Sequence, residues 1–208
     1  VENVEHLETV DAPAIPGAIS TTGKYNRAIV KVSWSIENFG YNLPVLISTL
    51  QGNLYEIKQF TGLKLLDIEL PPSFGDHYKG PAFGIDGCRK LTAVNDRPLI
   101  GTIIKPSIGL SVDQTAAIVK TLAEAGIDFI KDDELLSSSA NSNFNDRVDA
   151  VMKVINDHAD KTGKKVMYAF NLSGELDEMM QRYEKIVNSG GTCAMISINS
   201  VGLSAAKK

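Results

Sequence analysis

Hydrophobic and polar positions follow two different rhythms in the two parts of this chain. Over residues 24–37 they alternate. Ala28, Val30, Val32, Trp34 and Ile36 fall on one face, and Lys31, Ser33, Ser35 and Glu37 fall on the other. A period of two predicts a half-buried strand. Gly40 and Asn42 then mark a turn, and Asn42 is placed to cap a short helix through Leu50 that Gly52-Asn53 ends. A second strand is predicted over 63–70, with Lys64, Leu66, Ile68 and Leu70 on one face. Together these make a small α+β unit over roughly residues 24–70. Residues 1–23, acidic and then rich in Pro, Gly and Thr, read as a tail or linker with room for one short strand. Pro71-Pro72, Gly75, Gly80, Pro81 and Gly84 punctuate the chain, and the domain boundary is expected there.

From residue 98 onward short apolar runs take over, at 99–104, 127–130, 165–170 and 193–198. They recur about every thirty residues, the length of a βα unit. Amphipathic helical stretches lie between them at 112–125, 145–159 and 175–189, and Ser111 with Gln114 has the form of a capping box before the first. Strands alternating with helices predict a parallel sheet with helices packed outside. Four such units make either half of a (β/α)8 barrel or a small doubly wound sheet.

The polar residues gather where these strands end. The first run leads into Lys105-Pro106-Ser107, the second into Lys131-Asp132-Asp133-Glu134, the third into Asn171-Leu172-Ser173-Gly174 and the fourth into Asn199-Ser200. In barrels, functional residues sit at the carboxyl ends of the strands. Alternation puts Lys131 and Asp133 on one face and Asp132 on the other, and Glu134 rejoins the first pair if the backbone turns. Two carboxylates beside a lysine fit a hard cation such as Mg²⁺, with Lys131 a ligand only if CO₂ converts it to an anionic carbamate. The alternative is an acidic loop with Lys131 in a salt bridge. A cation there would polarise the oxygens of a bound ketone and ease removal of the neighbouring proton. Lys105 is either the acid or base for that proton or the partner of Asp132 or Asp133 in a salt bridge. Asn171 is expected to donate a hydrogen bond to the developing enolate.

Composition narrows the classes. Over 208 residues, 43% hydrophobic and 22% charged content is ordinary for a soluble globular protein. A net charge of −4, without a basic cluster interleaved with aromatics, gives no reason to expect nucleic-acid binding. Cys88 and Cys193 lie far apart without metal spacing and read as reduced thiols. No apolar run reaches transmembrane length, and the opening residues do not have the form of a signal peptide. We therefore expect a cytoplasmic protein with no membrane partner. No P-loop, GxGxxG, HExxH or GxSxG motif occurs, and His6, His77 and His158 are scattered.

Several segments resemble the RuBisCO large-chain superfamily. Ile103-Ile104-Lys105-Pro106-Ser107-Ile108-Gly109-Leu110-Ser111 is similar to its first barrel strand, and Phe129-Ile130-Lys131-Asp132-Asp133-Glu134 to its activator-lysine motif. Gly80-Pro81-Ala82-Phe83-Gly84-Ile85 resembles the segment joining the two domains, and Tyr168-Ala169-Phe170-Asn171 the third strand. Gly52-Asn53 resembles the segment that reaches a neighbouring subunit's site. The resemblance covers residues 24–203. It implies an α/β protein: a linker at 1–23, part of a ferredoxin-like α+β domain at 24–84, and the first four βα units of a TIM barrel at 85–208. It further implies that Lys131 is carbamylated and binds Mg²⁺ with Asp133 and Glu134. Lys105 would be the acid/base lysine, and Asn53 would complete the site of a homodimer or higher homo-oligomer.

Two departures matter. Carboxylases of the family carry a second lysine two residues after the first, where Ser107 stands here, and a His-Asp pair where this chain has Ile196-Ser197-Ile198-Asn199. These argue against an authentic ribulose-1,5-bisphosphate carboxylase, which stays as an alternative. They favour a RuBisCO-like protein that enolises a phosphorylated keto sugar or sugar acid, leading to isomerisation, decarboxylation or other C–C cleavage. The Asn42-Leu43-Pro44 and Gly52-Asn53-Leu54 patterns are closer to the members that cleave a 3-oxo sugar-acid phosphate. A non-catalytic α/β remnant or binding module is the third alternative. The family barrel has eight strands, so we expect a fragment of a longer protein that is inactive alone.

Overall fold

A computed structural model describes residues 1–11, 23–57, 60, 62–136 and 138–208. The chain divides into two compact units, Val1–Lys79 and Gly80–Lys208.

The first unit opens with strand β1 (Asn3–Asp11), which pairs antiparallel with β2 (Lys24–Lys31) from Asn3↔Lys31 to Asp11↔Lys24. The linker reading of 1–23 is corrected here over 3–11, while 12–22 lie outside the described residues. Opposite charges face each other across the ladder: Glu8 meets Arg27 at 2.5 Å, and Asp11 lies opposite Lys24. Opposite charges facing across a ladder stabilise it, and a local reading of an acidic stretch cannot see its basic partner. β2 stops at Lys31, short of the expected residue 37, because Ser35 caps a 3₁₀ turn at Ile36–Asn38. The strand expected over 63–70 does not form: among the described residues, 62–71 join no ladder. Alternation sorts side chains to two faces but supplies no neighbouring strand for the backbone groups. Helix α1 (Leu43–Gln51) starts as expected, with the Asn42 side chain accepting from the Val45 amide at 3.1 Å. Its Leu46 and Leu50 bury against Phe74 of the four-residue helix α2 (Pro72–Gly75).

The second unit begins with helix α3 (Gly84–Thr92) and continues as four βα units: β3 (Gly101–Ile103), α4 (Val112–Glu124), β4 (Phe129–Lys131), α5 (Phe144–Thr162), β5 (Met167–Asn171), α6 (Leu176–Asn188), β6 (Cys193–Met195) and α7 (Ile198–Lys207). The strands are parallel, and their spatial order β3-β4-β5-β6 is their chain order. A doubly wound sheet reverses its strand order at a switch point, whereas a barrel adds strands in sequence. The topology therefore decides between the two architectures left open above, in favour of the barrel. The fourth strand is shorter than the run 193–198, and Asn199 and Ser200 lie in the first turn of α7.

Local signals set the helices. Ser111 and Gln114 form the reciprocal capping box of α4, Asn143 accepts from the Asn145 and Asp146 amides at the start of α5, and Gly163 ends α5 at φ 75°. Thr115, Val119 and Ala123 of α4, and Phe144, Val148, Val151, Met152 and Ile155 of α5, form stripes at helical spacing. All of them except Thr115 join one core cluster with Ile104, Ile130, Val166 and Phe170 from the strands and their ends. No helix among the described residues is long and apolar enough to cross a membrane.

At the amino end of β4, fully buried Asp128 gathers two loops, the one before β3 and the one before β5. Arg97 donates to it twice, at 2.6 and 2.9 Å, Lys164 at 2.6 Å and the Ile100 amide at 2.8 Å. The Arg97 hydrogen bond, then the Ile100 amide and Lys164, hold its carboxyl well below the usual carboxylate range. A depressed folded-state pKa gives stability that is complete above the unfolded-state value of about 3.9 and drains away as pH falls below it. Asp128→Asn should cost about 1–3 kcal/mol at neutral pH, because Arg97 and Lys164 can still reach water. The variant should also lose less stability than wild type between neutral pH and about pH 3. Urea denaturation at both pH values checks this, and equal acid sensitivity of the two proteins would refute it.

Candidate active site

The stretch 131–134 follows β4 out of the sheet, and the pleat sorts its side chains. Lys131 ends the strand between Ile103 of β3 and Ala169 of β5. Its Nζ donates to Glu134 Oε1 at 2.8 Å and to the Asp132 carbonyl at 3.0 Å. Asp133 lies on the same side and meets Lys105, from the end of β3: Lys105 Nζ is 2.5 Å from Asp133 Oδ2 and 3.0 Å from Ser107 Oγ. Two lysines and two carboxylates thus pair at the carboxyl rim of adjacent strands. The salt-bridge alternative for both lysines describes their contacts here.

Asp132 points the other way and is fully buried. Its Oδ1 accepts from Tyr168 Oη at 2.5 Å, and its Oδ2 from the Asn171 amide at 2.9 Å and Arg147 Nη2 at 3.4 Å. Sequence reasoning missed Arg147. The signal was there: it stands within the apolar stripe of α5, between Phe144 and Val148, where a charge requires a buried partner.

Asn171 corrects an expectation. Its side chain is fully buried and does not face the rim. Nδ2 is directed at the carbonyls of Asp133 (3.3 Å), Glu134 (3.0 Å) and Leu136 (3.4 Å), and Oδ1 accepts from the Ser173 amide at 3.0 Å. Its side-chain amide is engaged by the turn after β4, in place of the rim position expected for it. Asn53 opens the 3₁₀ turn Asn53–Glu56 of the first unit. At the end of β6, Ser197, Asn199 and Ser200 line a cleft of about 460 Å³ together with Glu134. Ser173 Oγ accepts from the Ser197 amide at 2.9 Å and so joins the ends of β5 and β6.

Charge follows geometry. The Lys105 hydrogen bond, then the Leu135 amide, hold the Asp133 carboxyl down at about 2. The Lys131 hydrogen bond lowers the Glu134 carboxyl. Burial, with Asp132 beside it, keeps the Tyr168 hydroxyl protonated and therefore a donor. Among the described residues no three His, Cys, Asp or Glu side chains gather to hold a metal. Asp133 and Glu134 supply two carboxylates, and a third anionic donor would have to come from Lys131.

Two family profiles match the chain. Residues 84–208 match the ribulose bisphosphate carboxylase large chain, catalytic domain, and residues 4–74 match the N-terminal domain of the same large chain. The 3-oxo-isoapionate-4-phosphate transcarboxylase/hydrolase of Xanthobacter autotrophicus is 53% identical over 203 residues, 98% of this chain and 49% of that protein. The 3-oxo-isoapionate-4-phosphate decarboxylase of Rhizobium rhizogenes is 42% identical over 203 residues, 97% of this chain and 48% of that protein. The crystal structure of a rubisco-like protein from Burkholderia fungorum aligns with a TM-score of 0.90 at 43% identity, covering 98% of this chain and 51% of that one. The chain spans about half the length of the curated relatives it matches.

The pairing across the rim has a direct test. In Lys105→Met the Asp133 carboxyl should rise from about 2 toward the ordinary aspartate value of about 3.9. A ¹³C NMR titration of the aspartate carboxyls reads the change, and an unmoved resonance would show that the Leu135 amide alone sets it.

Proposed function

This chain belongs to the ribulose bisphosphate carboxylase large-chain family, and from that premise we propose that it is part of a Mg²⁺-dependent RuBisCO-like enzyme. The enzyme enolises a phosphorylated keto sugar or sugar acid and carries it on to decarboxylation or other C–C cleavage. The related transcarboxylase/hydrolase and decarboxylase point to 3-oxo-isoapionate 4-phosphate as the first substrate to try. The observation that carries this reading is the pairing of Lys105 with Asp133 and of Lys131 with Glu134 on one rim.

The donor set fits the cation by charge. With both lysines protonated and both acids ionised, the four side chains are neutral in total. Conversion of Lys131 to a carbamate replaces a positive charge by a negative one and leaves an excess of two negative charges, which one divalent cation cancels. Oxygen donors from Lys131, Asp133 and Glu134 suit Mg²⁺. The Lys131 side chain is 26% exposed, so CO₂ can reach it. Bound there, Mg²⁺ would supply the Lewis acidity that polarises a substrate carbonyl. Lys105, at the lip of β3, is the residue to move the proton on the adjacent carbon, and Ser107 Oγ keeps its Nζ in place. Ser197, Asn199 and Ser200 offer hydroxyls and an amide to the sugar chain. Ser107 also stands where family carboxylases carry their second lysine, which turns the reading away from ribulose bisphosphate carboxylation.

The full-length protein should exchange the proton next to the substrate carbonyl with D₂O when Mg²⁺ and bicarbonate are present. Lys131→Ala should abolish that exchange, and Lys105→Met should slow it by roughly 10²–10⁴-fold. NMR of the recovered substrate checks both, and wild-type exchange in Lys131→Ala would refute the reading. We further propose a cytoplasmic homodimer or higher homo-oligomer in which Asn53 completes the partner's site. Mixing inactive Asn53→Ala and Lys105→Met chains should then restore turnover through sites that draw an intact residue from each chain. No recovery in mixed oligomers verified by mass would refute the shared site.

A further inference from the structure

The turn that carries Asp133 and Glu134 hangs from one buried amide. Loops ordinarily run over the surface and give their carbonyls to water. Here the carbonyls of Asp133, Glu134 and Leu136 all face inward to Asn171 Nδ2, at 3.0 to 3.4 Å. The other side of the same residue holds the preceding position: the Asn171 backbone amide donates to Asp132 Oδ2 at 2.9 Å, while Tyr168 Oη donates to Oδ1. Asn171 and Asp132 are both fully buried, so neither reaches a molecule on the rim. Within the turn, the Leu136 amide donates to the Asp133 carbonyl at 3.0 Å and the Leu135 amide to Asp133 Oδ1 at 2.9 Å. The backbone orientation of 133–136 therefore fixes the Asp133 carboxylate, with Oδ1 turned to the loop and Oδ2 turned to the rim.

We propose that Asn171 and Asp132 are positioning residues that hold the 133–136 turn in the arrangement aiming Asp133 and Glu134 at the cation. The proposal rests on the Mg²⁺ reading above and adds residues to it that touch neither cation nor substrate. An apolar side chain at 171 would fill the space but remove the Asn171 donor from all three inward carbonyls, leaving that of Asp133 only the Leu136 amide. The amide is thus required for direction as well as for packing.

The test uses the full-length protein and two variants. Asn171→Asp keeps the shape and the acceptor for Ser173 but removes the donor, and Tyr168→Phe removes only the hydroxyl from Asp132. The first readout needs no metal: amide hydrogen exchange at Leu135 and Leu136 should speed up in both variants. The second is Mn²⁺ affinity by electron paramagnetic resonance in ¹³C-bicarbonate, with the carbamate carbon followed by NMR. Affinity should fall by about tenfold or more in Asn171→Asp, the size expected for residues that orient metal ligands. Ile155→Val, a core change remote in kind, controls for stability and should leave Mn²⁺ affinity unmoved. Wild-type exchange and wild-type affinity in Asn171→Asp would overturn the proposal. If that variant does not fold, the same two unchanged readouts in Tyr168→Phe overturn it. Wild-type protein that takes up no Mn²⁺ with bicarbonate overturns the Mg²⁺ reading instead, and the exchange rates still decide whether Asn171 clamps the turn.

Discussion

Asp132 places a carboxyl group where water does not reach, so its acceptors must be filled from inside the protein. A buried acceptor left bare costs about 1–3 kcal/mol, and more when charged. Its donors come from Tyr168 and the Asn171 amide on β5 and from Arg147 on α5. Burial pushes the carboxyl above the usual range, against the pull of Arg147, Tyr168 and the Asn171 amide. Satisfying this one side chain ties the end of β4 to a second strand and to a helix. Once residue 132 is committed inward, the pleat leaves Lys131 and Asp133 facing outward. The placement of the rim side chains is a consequence of where the interior hydrogen bonds go.

The opposite end of the same strand is held by the same device. Asp128 draws Arg97, Lys164 and the Ile100 amide to the amino end of β4. A strand only three residues long has few ladder bonds of its own, so side chains at both ends supply what the ladder does not. In barrels the amino-terminal face carries stability and the carboxyl-terminal face carries function. Here β4 has a buried aspartate at each face, and the one at the carboxyl end stands next to the paired lysines and carboxylates of the rim.

The second unit was readable because its signals are local. Apolar runs, helical stripes and the Ser111–Gln114 box each lie within a few residues, and the helices at 112–125, 145–159 and 175–189 match the observed bounds closely. The shared face of Lys131 and Asp133 follows from a period of two. What failed depended on distant partners. The acidic stretch 3–11 becomes a strand only beside the basic residues of β2, and 63–70 alternates without a ladder to join. Asn171 looked like a rim donor because it ends a strand, yet three carbonyls 35 to 38 residues earlier in the chain claim its amide. No periodicity encodes that claim. Arg147 was the one long-range feature with a local trace, a guanidinium in an apolar stripe.

These contacts separate into two classes by how easily they can be undone. The Lys131–Glu134 pair is partly exposed, and pairs of that kind contribute little to stability. Lys131 can therefore change its charge without endangering the fold. The Asp132 network is closed to water, and breaking it leaves a buried group without a partner, which is costly. Asp133 stands between the classes: its carboxylate is almost covered, yet its partner Lys105 has a side chain 58% exposed. Its charge is held partly by the Leu135 amide, which belongs to the rigid turn, and partly by a lysine that can swing away. In the proposed mechanism, a carboxylate in that position would stay ionised and fixed when Lys105 leaves to serve a substrate. A rim that alternated between ion pairs and the proposed cation would need a ligand whose direction does not depend on the ion pair, and the turn held by Asn171 would provide it.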